Sequence, residues 1–203
     1  MVATADWKTV SGHLQRYERN STQQQWKAIG KSIPVVVGKN GMGWGFTGKK
    51  EGDGLTPAGM YSIGPAFGFT ANHHYKIDYM QLMTTNVCVD DVKSTYYNQL
   101  IDSNKIAEKD WHSGEQMREV AGYKLGAVVK YNDYPVMKGA GSCIFLHIWK
   151  SPASGTAGCI AMEEANVDDN LNWLDAKKNP VIAIFPMSVY QKVKMKWKLP
   201  EIV

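Results

Sequence analysis

Short apolar runs bounded by turn-forming residues recur along the chain, and their lengths favour strands over helices. Residues 33–37 form a β-branched run that ends at Gly38, and residues 181–185 form another run after Asn179 and Pro180. The other segments that the pattern predicts as strands are residues 59–63, 75–79, 127–129 and 144–149.

Two segments have helical spacing. Residues 163–177 carry acidic residues in their first turn, where a carboxylate complements the helix dipole. Residues 90–107 show a weaker helical spacing, with Asp90 and Asp91 as the predicted caps. In residues 191–198, lysines alternate with apolar residues, which predicts an amphipathic edge strand. Many short strands with few helices predict a mostly β fold of the β-rich α+β class.

The 203 residues are predicted to form a single domain, with a core at about residues 7–186 and a basic C-terminal extension at residues 187–203. The net charge of +4 suits an anionic partner. Because the chain has no Lys/Arg-rich run, nucleic acid is not an expected partner.

The sequence also bears on the compartment. Residues 1–8 lack the basic and apolar parts of a signal peptide, and no apolar run approaches the ~18 residues of a membrane span. A mature secreted form and export by another route both fit these observations. Three cysteines leave at least one free thiol. Cys88 and Cys143 would be able to pair in an oxidising compartment, a question that the sequence leaves open.

The segment at residues 142–162 holds the candidate chemistry. His147 stands near the end of a predicted strand, a Ser/Gly/Pro-containing loop follows, and Gly158-Cys159 leads into an apolar residue. Such a loop can bring the thiol beside the imidazole, which acts as its base or pairs with the thiolate, and a lowered thiol pKa is expected. Gly158 leaves room beside the sulfur, and the backbone N–H groups of residues 158–160 are a candidate oxyanion hole.

Spacing alone also fits a structural interpretation of the same residues. Cys159 would then be a small buried apolar residue, and His147 a hydrogen-bonded core residue. A Cys and a His at this spacing do not define one family of enzymes.

Longer motifs change that balance. Ile-Phe-Leu-His-Ile-Trp at residues 144–149, followed by Thr-Ala-Gly-Cys-Ile-Ala-Met at residues 156–162, resembles the signature of the YkuD-like L,D-transpeptidase catalytic domain. Further segments resemble the same family in the same order, namely residues 26–38, 41–45, 50–59, 66–68, 89–91, 97–98 and 115–117. The resemblance extends over about residues 7–186 and implies an L,D-transpeptidase-like β-sandwich or barrel with short helices.

The resemblance implies roles for individual residues. Cys159 matches the nucleophile, His147 its base, and the backbone carbonyl of Ile148 the group that orients the imidazole. Gly158 and Thr156 match the family's Gly and Ser/Thr. This sequence departs from many members in having Ala157 where they carry a second His, and its loop between His147 and Cys159 is shorter.

The implied reaction is acyl transfer through a thioester on Cys159. The donor is a peptidoglycan stem tetrapeptide, the terminal D-Ala leaves, and an amine acceptor gives a 3→3 cross-link or D-amino acid exchange. Water as acceptor gives L,D-carboxypeptidase activity. The family resemblance implies no metal and no organic cofactor.

Four residues are predicted to contact substrate: Thr156, Trp149, Ser154 and Lys50. Trp149 follows His147 by two positions and so shares its face if the strand continues. Lys50 is a candidate partner for a substrate carboxylate, although Lys49, Lys50 and Glu51 are most simply a solvated turn. The Thr-Pro-Ala-Gly at residues 56–59 is predicted as a turn.

Other functions use the same features. An antibacterial effector delivered without a leader would share the cysteine chemistry and would have a cognate immunity protein as partner. A non-catalytic module that binds the cell wall would keep the groove and charge without needing the thiol. The expected location is periplasmic or secreted.

Overall fold

The computed structural model describes residues 1–71 and 74–202. In chain order, its strands are β1 (Val2–Thr4), β2 (Ser11–Glu18), β3 (Lys27–Val36), β4 (Met42–Trp44), β5 (Thr56–Gly68), β6 (Tyr79–Gln81), β7 (Asn86–Cys88), β8 (Leu100–Asp102), β9 (Glu115–Gln116), β10 (Leu125–Val129), β11 (Phe145–Ile148), β12 (Ile160–Met162) and β13 (Val181–Pro186). The helices are α1 (Gly45–Gly48), α2 (Glu164–Trp173) and α3 (Met187–Val193), with 3₁₀ turns at Ser103–Lys105, Ala121–Lys124 and Ala176–Lys178.

The larger sheet closes on itself. From β5 the pairing continues through β10, β11, β12, β3, β2, β1 and β13, and β13 pairs with β5 again. β4 and β6 add to β5 as parallel neighbours outside this ring. The mostly β fold that the sequence predicts is confirmed, as a closed barrel with short helices.

Alternation along β11 and β12 separates two cores. Leu146 and Ile160 are register partners and lie in the main core, inside the ring. Phe145 on β11 and Cys159, directly before β12, stand one position earlier and point to the opposite face. There they meet a second apolar cluster that includes Tyr123 and the smaller sheet, whose strand order is β8-β7-β9.

Several predicted elements are confirmed with shifted bounds. β3, β5, β10, β11 and β13 cover most of the strands predicted near residues 33, 59, 127, 144 and 181. The helix predicted at residues 163–177 is α2, which ends at Trp173. Residues 75–79 contribute one bridge at Lys76, and the strand there begins only at Tyr79.

The helix predicted at residues 90–107 is wrong. Asp91 accepts backbone hydrogen bonds from Lys93 and His112, and Asp110 accepts one from Thr95. These side-chain bonds stabilise turns in place of a helical ladder. The segment contains β8 and the 3₁₀ turn at Ser103–Lys105 rather than an α-helix, and Asp91 caps a turn.

The edge strand predicted at residues 191–198 is also wrong. α3 ends at Val193 and turns follow it. Val189 and Tyr190 are buried with Phe185, and the ring of Trp197 meets that of Phe185 at 5.4 Å. Val189, Val193 and Trp197 are spaced by four residues, so helical spacing prevails over the alternation of lysines.

Candidate active site

Cys159 lies directly before β12 and is the free thiol among the cysteines of the described residues. Its sulfur accepts a hydrogen bond from the backbone N–H of Phe145 at 3.3 Å. The same sulfur donates to the backbone carbonyl of Cys143 at 3.4 Å. The thiol is therefore held against the start of β11 by two backbone groups.

A groove opens over this sulfur, and we call it the Cys159 groove. Its lining includes charged side chains from four separate segments of the chain, together with the backbone beside the sulfur: Lys39, Lys49, Glu51, Asp90, Glu115, Gly158 and Cys159. Acidic and basic groups thus surround a single nucleophilic atom.

Cys88 and Cys143 form a disulfide, with Cα atoms 6.1 Å apart. The bond ties β7 to the segment that precedes β11. Because Cys143 supplies the carbonyl that accepts from Cys159, the disulfide fixes one of the two backbone groups that hold the thiol. The pairing that the sequence left open is present and adjoins the site.

His147 projects from β11 on the same face as Phe145 and Cys159. Its Nδ1 is 2.8 Å from the carbonyl oxygen of Ile148, as the family resemblance implied for that carbonyl. The chain also approaches the ring at Gly122, where an added Cβ would lie 2.9 Å from Nδ1 and 2.7 Å from the Ile148 oxygen. A glycine at position 122 is what lets the 3₁₀ turn at Ala121–Lys124 pack onto the histidine.

Tyr123 lies between the two predicted catalytic groups. Its ring packs edge-on against the rings of Phe145 and His147, with centroids 5.2 and 5.1 Å away. Its hydroxyl reaches the sulfur of Cys159 and donates a hydrogen bond to the carboxylate of Glu115. By contrast, the imidazole is not among the hydrogen-bond partners of the thiol within the described residues.

Burial raises the pKa of the Cys159 thiol to about 12, and the charge of Glu115 adds to this effect. The N–H of Phe145, the hydroxyl of Tyr123 and the charge of Lys49 act in the opposite direction. The lowered thiol pKa expected for a His-paired cysteine is therefore wrong for the resting protein. At neutral pH the resting group is a thiol.

Burial lowers the pKa of His147 to about 4, against the hydrogen bonds to the backbone of Ile148 and Gly122, which raise it. The imidazole is therefore neutral near pH 7, the form that accepts a proton. A neutral thiol and a neutral imidazole occupy the site at rest, rather than a thiolate–imidazolium pair.

Two threonine hydroxyls hold the backbone at Gly158 and Cys159. The Thr156 hydroxyl donates to the carbonyl of Cys159 at 2.7 Å and accepts from the N–H of Gly158 at 3.1 Å. The buried Thr56 hydroxyl accepts from Gly38 N–H at 2.8 Å and lies 2.8 Å from the Gly158 carbonyl oxygen. Thr156 thus has internal partners, and one N–H of the candidate oxyanion hole is already engaged.

These contacts also correct the interpretation of residues 56–59 as a turn. They are the first residues of β5, and the Thr-Pro pair begins a strand that is parallel to β4. At Gly158 an added Cβ would approach the carbonyl oxygen of Leu55 to 3.0 Å. Glycine at position 158 therefore permits the close approach of this strand as well as leaving space beside the sulfur.

The predicted solvated turn at Lys49, Lys50 and Glu51 is wrong for two of its three residues. Lys49 is 4 % exposed, pairs with Asp53 at 2.7 Å and reaches the Cys159 groove. Glu51 accepts hydrogen bonds from Tyr97 and Ser142 and also lines the groove. Lys50, the predicted substrate contact, is exposed and is not among the described lining residues.

Trp149 and Ser154 also lie away from the groove lining. β11 ends at Ile148, and Trp149 packs against the main core, so it does not share the face of His147. Ser154 bonds Ser151 within the loop, through their hydroxyls, at 2.8 Å. Both residues stay predictions as substrate contacts without support from their positions.

Sequence reasoning did not single out Lys49, Glu51 and Tyr123 as groove residues, and it noted Glu115 only within a motif. The signals were weak: a Lys four residues before Asp53, and a Tyr four residues before a predicted strand. Among the described residues, no cluster of His, Cys, Asp and Glu has an arrangement that could hold a metal ion.

A closed β-barrel with a free cysteine and a histidine on one outward face defines a class of domain with a candidate thiol-dependent site. Comparison with protein families is more specific. The model of the L,D-transpeptidase catalytic domain, YkuD, matches residues 9–183, and the chain belongs to this family. Searches of curated proteins and of solved structures returned no significant match.

Membership of this family supports a general statement about function. The chain has an L,D-transpeptidase-type catalytic domain, whose family implies peptidoglycan as the substrate and is typically extracytoplasmic. In the described part of the chain, no helix has the length and apolar character needed to cross a membrane.

Proposed function

We propose that the protein is a cysteine acyltransferase acting on peptidoglycan stem peptides, with Cys159 as nucleophile and His147 as base. The main support is that the free thiol lies in a groove on the same sheet face as a neutral imidazole. The chain also matches the family over residues 9–183. Catalytic hydrogen bonds are commonly loose without substrate, so the missing thiol–imidazole bond does not argue against the pair.

The reaction has two half-steps. Cys159 loses its proton, and its sulfur bonds to the carbonyl carbon of the diaminopimelate residue. The C–N bond to the terminal D-Ala breaks, and the D-Ala amine takes up a proton. An acceptor amine then attacks the thioester, the S–C bond breaks, and the sulfur regains a proton. Water in place of the amine releases the tripeptide.

In a low-dielectric site, these half-steps are favourable only if the thiolate forms after the substrate has bound. Because the resting thiol has a pKa near 12, substrate has to be in place when the proton moves. The charge of the buried Lys49 lowers the pKa of Cys159 and so assists the thiolate. We therefore expect proton transfer and sulfur attack to be closely coupled.

The location that we propose is periplasmic or secreted. The disulfide between Cys88 and Cys143 supports it, because such bonds persist in oxidising compartments and are rare in the cytosol. Delivery as an effector with a cognate immunity protein has no supporting observation and stays a prediction from the sequence.

The test is incubation with purified disaccharide-tetrapeptide, read by mass spectrometry, with Cys159→Ala and His147→Ala alongside. We expect loss of terminal D-Ala in the wild type only, with a 3→3 dimer for transfer and a free tripeptide for hydrolysis. His112→Ala is the matched control, because His112 is exposed and is not among the described groove-lining residues.

Two results would contradict the proposal. Equal products from wild type and Cys159→Ala would remove the cysteine from the chemistry. No product from any variant, together with retained binding to peptidoglycan, would favour the non-catalytic cell-wall module.

A further inference from the structure

Cys159, His147, Tyr123 and Glu115 form a connected set of groups. The proposed reaction of Cys159 with His147 gives no role to Tyr123 and Glu115. The thiol of Cys159 meets the hydroxyl of Tyr123, which bonds the carboxylate of Glu115, while the Tyr123 ring rests on His147. Tyr123 is 4 % exposed, and Glu115 lines the same groove as Cys159. The phenol is thus the group that joins the nucleophile to a carboxylate.

The carboxylate is in a setting that suits proton uptake. Burial raises the pKa of Glu115, and the charges of Asp90 and Glu51 raise it further, whereas the bond from Tyr123 lowers it. The groups that face this set are Asp90 after β7, Glu51 and Lys49 before β5, and His147 on β11. A carboxylate with a raised pKa is a stronger base.

Resting on the proposed function, we propose that Tyr123 and Glu115 form a proton relay that gives Cys159 a second route of deprotonation beside His147. The S–H group turns from the Cys143 carbonyl toward Tyr123, the S–H bond breaks and its proton passes to the Tyr123 oxygen, while the Tyr123 O–H proton passes to Glu115. The sulfur then bonds the acyl carbon. The proton returns from Glu115 through Tyr123 to the leaving amine, so the relay ends unchanged. Tyr123 touches the reacting atom, and Glu115 acts through it.

The effect of Glu115→Gln on kcat/KM distinguishes the relay from a purely electrostatic role of Glu115, because an electrostatic role alone predicts no loss of kcat/KM. The negative charge of Glu115 raises the pKa of Cys159. Glu115→Gln removes that charge, so alkylation of the thiol by iodoacetamide stays equal or becomes faster. The relay predicts that the same variant loses roughly tenfold or more in kcat/KM, since general acid–base groups contribute about 10²–10⁴-fold.

Tyr123→Phe keeps the ring on His147 and Phe145 and removes the hydroxyl. We expect it to slow both alkylation and turnover, because the thiolate loses a donor and the relay loses its middle member. Since the two residues act as one unit, the double variant is expected to be no slower in turnover than the worse single variant. Independent structural effects would multiply instead.

The experiment measures kcat/KM on the disaccharide-tetrapeptide and the rate of Cys159 alkylation, each across pH 4–9, for wild type and these variants. Glu115→Gln is expected to remove an acid limb from the kcat/KM profile. Matched controls are Tyr190→Phe, a buried tyrosine in another cluster, and Glu119→Gln, an exposed carboxylate on the same segment.

Turnover within about twofold of wild type for both single variants would overturn the relay, as would multiplicative losses in the double variant. If the tetrapeptide is not processed at all, the proposed function fails. The alkylation rate still tests the contact between the Tyr123 hydroxyl and the Cys159 thiol. A rate for Tyr123→Phe equal to that for Tyr190→Phe would then overturn the relay independently.

Discussion

Burial determines the charge of the two predicted catalytic residues. The environment of Cys159 raises its pKa to about 12, and that of His147 lowers its pKa to about 4. Each group is therefore in its uncharged form through the neutral range. The resting site therefore holds little thiolate, the form that reacts with electrophiles.

This arrangement predicts the pH dependence of thiol reactivity. The pKa of Cys159 is raised, so the thiolate fraction grows about tenfold per pH unit through pH 6–10, well below that pKa. The rate of iodoacetamide alkylation, followed by intact mass, is expected to rise in parallel without levelling. A small free thiol with an ordinary pKa of about 8.5 is the control, and its rate levels off within this range.

An alkylation rate of Cys159 that levels off near neutral pH would contradict the prediction. It would mean that a thiolate–imidazolium pair exists at rest. His147 is neutral throughout pH 6–10, so its own titration does not disturb this measurement.

At the residue scale, the sequence located a free thiol and a histidine that share one face of the sheet, and it missed much of their surroundings. Cys159 and His147 are adjacent to a distinctive Gly and a strand end, which the motif captures. Which of Lys49 and Lys50 faces the groove depends on the pairing of Lys49 with Asp53. The two residues of this pair are only four positions apart, but two adjacent lysines look alike in a sequence.

At the scale of elements, the smaller sheet covers the outward face of β11. β7 carries Cys88, β9 carries Glu115, and Asp90 follows directly after β7. The disulfide from Cys88 to Cys143 attaches this cover to the segment before β11, whose backbone bonds the thiol of Cys159. Stability of the cover and geometry of the site are thus linked.

Replacing both cysteines tests that link. The bond closes a loop with a sequence separation of 55 residues, for which the chain-entropy estimate is about 4 kcal/mol. Cys88→Ser/Cys143→Ser is expected to lower the free energy of unfolding by up to that amount, measured in urea, and to reduce product formation. Reduction of the wild type is expected to reproduce the variant, which itself should not respond to reductant. Equal unfolding midpoints for all four samples would contradict the expectation.

Elements with continuous apolar runs were predictable, and those stabilised by side-chain bonds to the backbone were not. β11 and β13 are buried runs, so pattern alone finds them. Residues 90–107 lack such a run, and their turns depend on Asp91 and Asp110 meeting distant N–H groups. Propensity carries no information about those partners.

For the whole molecule, the status of residues 187–203 decides where the domain ends. Tyr190 is 1 % exposed and packs with Phe185 of β13, and its hydroxyl donates to Pro200. Residues 187–202, the described part of the predicted extension, therefore cover one outer side of the barrel. We interpret these residues as part of the cooperative unit, although the family match ends at residue 183.

Truncation of the Tyr190 side chain measures how much the C-terminal residues contribute to the free energy of unfolding. Tyr190→Ala is expected to lower the free energy of unfolding by about 3–5 kcal/mol, because it leaves a cavity. Tyr190→Phe removes only the hydrogen bond and is expected to cost about 1 kcal/mol. Urea unfolding with one transition checks both values. A loss under 1 kcal/mol for Tyr190→Ala would make residues 187–203 an appendage.

The thiol of Cys159 points out of a ring of strands whose interior is filled by other residues. Folding of the barrel depends on side chains such as Leu146 and Ile160, while under the proposed function recognition of the peptide depends on the cover over the opposite face. The two tasks can therefore vary separately. Loops could be exchanged in the cover, or a foreign one grafted there, to change which peptides reach the sulfur while the barrel stays intact as a scaffold.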